Sequence, residues 1–204
     1  MLETDLHTAP SRGARHRAQA GTVAIEFALV SILFFTLIFG TMELARIIYL
    51  YNTLAEATRS AAKAATNIDW RDTAALDIAR QAAVFRTSPG TLLLGDPVTD
   101  QSVHIDYMSL AKAAGGALTM TPIPTASLPG CPSRNRQNCL ENPYGASCVR
   151  LVRVRICSGD ADVCDPVQYQ PLFPLVSLPV PVPASTTIVS AESLGYSPGD
   201  ALCP

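Results

Sequence analysis

The order of hydrophobic and polar positions divides the chain into a leader, an apolar helix and a mixed remainder. Residues 1–21 are polar and carry Arg12, Arg15 and Arg17, with His16 among them. Thr22 to Met42 is a run of 21 residues whose only charge is Glu26, and Phe27–Met42 is entirely uncharged. At about 1.5 Å per residue such a helix spans roughly 30 Å, the hydrocarbon thickness of a bilayer. Core helices of soluble proteins seldom lack charge for so long, so the pattern predicts a transmembrane helix. The arginines precede it, which predicts a cytoplasmic N-terminus and export of the bulk of the chain. Beyond the span, Leu44, Ile48, Tyr51, Ala55, Thr58, Ala62 and Ala65 continue in steps of four and three, with Ile47 and Leu54 beside them. That stripe predicts one helix from Thr22 to Ala65, roughly 66 Å long. Glu43 with Arg46, and Glu56 with Arg59, are i,i+3 pairs worth about 0.2–0.5 kcal/mol each.

The remainder predicts a small α+β head. A second helix is expected over Thr73–Arg86, capped by Asp72 and stopped at Ser88-Pro89-Gly90. Ser102–Met108 alternates Val103, Ile105 and Tyr107 against His104 and Asp106, the period of a half-buried strand. Val149–Cys157 sets Val152, Val154 and Ile156 on one face and Leu151, Arg153 and Arg155 on the other. The arginines at 150, 153 and 155 read as a solvated face, as do His104 and Asp106. Ser158-Gly159-Asp160 is a turn, with Asp165–Gln170 as the returning strand. Pro171–Pro183 is proline-rich and reads as an extended crossing, and Ala184–Ser193 as the last strand. Antiparallel strands against the outer half of the long helix complete the head. The divisions are 1–21 leader, 22–42 transmembrane helix, 43–66 outer stem and 67–204 head.

Composition sharpens this picture. Charged residues are 16% and hydrophobic ones 48%, with a mean hydropathy of +0.22, which favours a membrane protein over a soluble domain. A net charge of −2 supplies no field for nucleic acid, so a DNA or RNA binder is disfavoured. The cysteines at 131, 139, 148, 157, 164 and 203 show no Cys-x-x-Cys and no nearby histidine, so disulfides are expected rather than a metal site. Cys148 and Cys157 end one strand, about 30 Å apart, and cannot bond. The expected pairs are Cys157–Cys164, Cys131–Cys139 and Cys148–Cys203. No Gly-x-Ser-x-Gly, phosphate loop or His-Glu-x-x-His occurs, so neither an enzyme nor a cofactor is expected.

Glu26 is the candidate functional residue. A carboxylate deep in an apolar span costs about 2.5–3.5 kcal/mol, less towards the interface, and invites a partner. Small residues at Ala18–Gly21 precede the apolar core, on the wrong side for ordinary signal-peptide cleavage. A cut after Gly21 would instead free the amine of Thr22, which Glu26 is placed to neutralise in its own or a neighbouring subunit. Gly21, Glu26-Phe27-Ala28-Leu29, Gly40, Glu43-Leu44-Ala45-Arg46, Tyr49, Asn52, Ala57 and Arg59-Ser60-Ala61-Ala62 together resemble the TadE-like family of the bacterial tight-adherence (Flp) pilus system, whose members are pseudopilins. Ala184–Leu194 is similar to the family's last strand. The resemblance implies a type IV pilin-like stem and cleavage by a prepilin peptidase after Gly21, with Thr22, Glu26 and Phe27 in the processing motif. It implies the inner membrane, other pilin-like subunits and the pilus assembly machinery as partners, and a periplasmic head. Thr22 stands where many type IV pilins carry phenylalanine. The competing expectation is a single-span anchor with a periplasmic binding or sensory domain that keeps its leader.

Overall fold

The computed structural model describes residues 16–159, 164–173, 181–182 and 184–203, with side chains from residue 21 onward. Two compact units result, Met1–Leu44 and Ala45–Pro204. Helix α1, His16–Ala65, is the long N-terminal helix expected from the sequence. It has no proline to break it, and hydroxyls that would otherwise compete with its backbone bond back to the preceding turn, Thr36 to the carbonyl of Ile32 and Thr41 to that of Ile38. Every large aliphatic or aromatic side chain from Val23 to Leu37 is more than half exposed. A helix apolar around its whole circumference suits lipid or the interior of an assembly.

In the second unit the outer half of α1 lies against a four-stranded antiparallel sheet. The strands are β1 (Val103–Lys112), β2 (Leu118–Pro122), β3 (Leu151–Ile156) and β4 (Thr186–Ser190), in the order β2-β1-β3-β4. Leu50, Leu54, Ala57, Ala61, Ala62 and Ala65 are buried on the helix side, with Val103, Tyr107, Val152, Val154 and Ile156 on the sheet side. The four alanines keep the helix close to the strands. Thr58 sits among them and shares its hydroxyl with Ser185 at 3.1 Å and Thr187 at 2.8 Å. The packed stripe therefore corrects the expected one: Ile48 and Tyr51 are half exposed, and the sheet covers the face through residues 50, 54, 57 and 61.

Other elements also depart from expectation. Helix α2 covers Thr73–Ala83, its first turn capped by the Asp72 carboxylate on the Ala75 N–H at 3.0 Å. It ends before Arg86 because Phe85 turns left-handed (φ 59°), with Arg86 N–H donating to the Gln81 carbonyl. Strand β2 and helix α3 (Pro132–Glu141) were not expected: the alternation of β2 is only four residues long and α3 is almost wholly polar. Asp165–Gln170 forms only isolated bridges, Ser158 with Asp165 and Gln168 with Pro181. The first fifteen leader residues, Asp160 of the turn, and most of the proline-rich crossing lie outside the described residues.

Three disulfides close the head: Cys131–Cys203, Cys139–Cys148 and Cys157–Cys164. The expected Cys131–Cys139 and Cys148–Cys203 bonds are corrected. Cys131 caps α3 and Cys139 lies eight residues along it, so helical rise alone holds them about 12 Å apart.

Candidate functional site

The processing residues all lie on α1. Gly21 has open space around it, and Glu26 and Phe27 are exposed, Phe27 by 73%. Thr22 and Glu26 are four residues apart, so they occupy one helix face a turn from each other. A carboxylate in that position, the single charge between Thr22 and Met42, invites a partner from outside the helix.

A second set of residues gathers where α1 enters the head. Arg46 continues the buried 50-54-57-61 stripe towards the N-terminus and is only 6% exposed. Its guanidinium donates to the backbone carbonyls of Leu94 at 2.7 Å and Gln170 at 2.6 Å, and reaches that of Asp96 at 3.4 Å. It also lies over the Tyr169 ring, 5.0 Å from its centroid. Hydrogen bonds to a charged donor are worth about 1.5–3 kcal/mol each, so Arg46 pins two loops to the helix. The sequence sets it in an i,i+3 pair with Glu43, which is itself buried at 1% exposure; the loop carbonyls are additional acceptors. The signal that identifies it is its register, since an arginine in a buried stripe needs acceptors. Glu56 and Arg59 form no ion pair in this structure and both stay exposed.

On the outer face of the sheet, Asp106 accepts from Arg153 Nε at 2.9 Å and Arg155 Nε at 2.8 Å. Its side chain is 14% exposed and those of the arginines 21% and 16%. The solvated face expected here is thus a half-buried charge cluster, formed because the strand register sets Asp106 opposite Arg153 and beside Arg155. Among the described residues no three histidine, cysteine or acidic side chains converge as a metal site would require.

Residues 21–63 match the family model described as TadE-like protein. The stem is similar to TadE-like proteins. The match opens at Gly21 and takes in Glu26, Arg46 and Arg59, while the head beyond residue 63 lies outside it. No curated protein and no solved structure matches the chain. The TadE-like match and the long apolar helix together fit a pilus-associated membrane protein.

Proposed function

We propose that this chain is a pseudopilin of a tight-adherence pilus system, inserted once in the bacterial inner membrane and processed after Gly21. The observation that carries the reading is the family match beginning at Gly21 itself, followed by the span Thr22–Met42, whose large apolar side chains are more than half exposed up to Leu37 and whose single charge is Glu26. In this reading a prepilin peptidase removes the arginine leader. The stem then packs against other pilin-like stems, and Glu26 neutralises the amine of Thr22. The disulfide-bonded head faces the periplasm, an oxidising compartment. The role is structural rather than catalytic.

Intact-mass analysis of the membrane fraction tests this directly. The mature chain should begin at Thr22, and replacing Gly21 with a bulky residue should leave the leader attached. A wild-type chain retaining Met1 or Leu2 would instead mark a permanent anchor. Glu26→Gln separates the two roles of the glutamate. Membrane level should hold or rise, because a costly carboxylate leaves the span, whereas assembly should fail for want of the amine's partner, a loss of about 3–5 kcal/mol. Normal piliation in that variant would remove the assembly role.

A further inference from the structure

The four-stranded sheet has two unpaired edges, and their geometry is complementary. Backbone bonds from Ile156 N to Ser185 O and from Ala191 N to Arg150 O fix the odd-numbered residues of β4 as those facing β3. The N–H and C=O groups of Thr186, Ile188 and Ser190 therefore point away from the sheet. On β2, the bonds Ala113 N to Ala117 O and Ile123 N to Tyr107 O do the same, leaving Leu118, Met120 and Pro122 facing outward. No strand pairs with either edge among the described residues. Both strands have five residues and neither carries a charge, although sheet edges are commonly protected by charge.

We propose that these edges are the two halves of one contact: β4 of one copy pairs with β2 of the next. Directions allow it. β2 and β3 run one way and β1 and β4 the other, because every neighbouring pair is antiparallel. A second copy placed beside β4 in the same orientation thus presents β2 antiparallel to it. The two stems then lie parallel and on the same face of a continuous sheet. A two-fold β4–β4 contact either reverses one stem or puts the stems on opposite faces. Only the head-to-tail arrangement meets both conditions, and it leaves a free edge at each end for further copies. The choice rests on the membrane reading above, in which all copies insert in one sense.

Side chains agree with the register. Thr187 bonds Thr58 of α1, so odd positions of β4 face the helix and even positions face away. Met120 shares its face with Leu110, and Thr121 with Ser109, so β2 has the same parity. With Ile188 opposite Met120, the exposed Ile188 (40%), Met120 (48%) and Leu118 (56%) form one apolar row on the outer face. On the inner side, Thr119 and Thr121 project towards a groove of about 350 Å³ lined by Glu56, Arg59, Ser60, Lys63, Thr187 and Val189. Hydroxyls meet charged side chains there. Pro122 accepts but cannot donate, which ends the ladder at Thr186.

The test uses the full-length chain in its own membrane, with Leu118→Cys and Ser190→Cys together and a short bismaleimide. The native cysteines, being paired, do not react. The expected result is a ladder of dimer, trimer and higher species, with no dimer from either single variant. Adding Met120→Pro should abolish the ladder, since it removes an outward N–H without touching the bonds to β1; continued resistance of the native cysteines to alkylation reports that the head stays folded. Chain present in the membrane pellet without a ladder refutes the pairing alone, whereas chain absent from the pellet refutes the insertion on which the choice rests. A dimer from Ser190→Cys alone, a ladder that survives Met120→Pro, or a single adduct to a different protein would each overturn self-pairing.

Discussion

Tyr107 lies at the centre of the head, 6% exposed, its ring edge-on to Trp70 at 5.9 Å. Its hydroxyl is buried without a hydrogen-bond partner among the described residues. Burial pushes its pKa up to about 12, with the charge of Asp69 adding and that of Arg80 opposing. The folded chain therefore holds the phenolic proton more tightly than the unfolded chain, and stability is lost as pH rises from about 10 through 12. At about 1.4 kcal/mol per pH unit the loss approaches roughly 2–3 kcal/mol. Tyr107→Phe should remove this alkaline loss while leaving stability at pH 7 unchanged or up to about 1 kcal/mol higher, because no hydrogen bond is sacrificed. Melting of the detergent-solubilised chain at pH 7 and 11 measures both. Single residues were unevenly legible in the sequence. Asp72 has the side chain and position of a cap, so local chemistry sufficed. The setting of Asp106 and the loop contacts of Arg46 were not legible because Arg153, Arg155 and the carbonyls of the two loops lie 47 or more positions away in the chain.

The elements that periodicity could announce were found. Helix α1, helix α2 and strands β1, β3 and β4 each carry a run whose apolar spacing matches its own period. β2 escaped because Leu-Thr-Met-Thr-Pro is exposed throughout and bears no imprint of a buried face. α3 escaped because its sequence is almost wholly polar and its order comes from Pro132 at its start and two flanking disulfides. The end of α2 is instructive, since Phe85 occupies the left-handed position that glycine usually takes, with its ring 61% exposed. Phe85→Gly should raise stability by about 0.5–1 kcal/mol, because the strain of a side chain in that conformation goes and little packing is lost. A fall in melting temperature would show that the ring has a contact worth more than the strain.

For the whole molecule, a stem followed by a disulfide-bonded α+β head was readable from the long apolar run and its helical continuation, followed by alternating strands and six cysteines. The connectivity was not, because which cysteines meet depends on α3. The three bonds are not equivalent. Cys131–Cys203 closes a separation of 72 residues and Cys139–Cys148 one of only 9, so loop entropy assigns them about 4 and about 2.5 kcal/mol respectively. Paired replacement by alanine should follow that order in urea denaturation of the solubilised chain, and the intact protein should resist alkylation until reductant is added. An equal cost for both pairs would contradict the loop-entropy account.

The bonds that join α1 to the rest of the head also have a mechanical meaning. Arg46 grips the carbonyls of Leu94 and Gln170, and three turns further along Thr58 grips Ser185 and Thr187. When the helix is pulled along its own axis, these attachments are strained side by side, so the load divides among them. Peeling the helix sideways would open them one after another and needs far less force. The head is therefore fastened most strongly against traction along the stem.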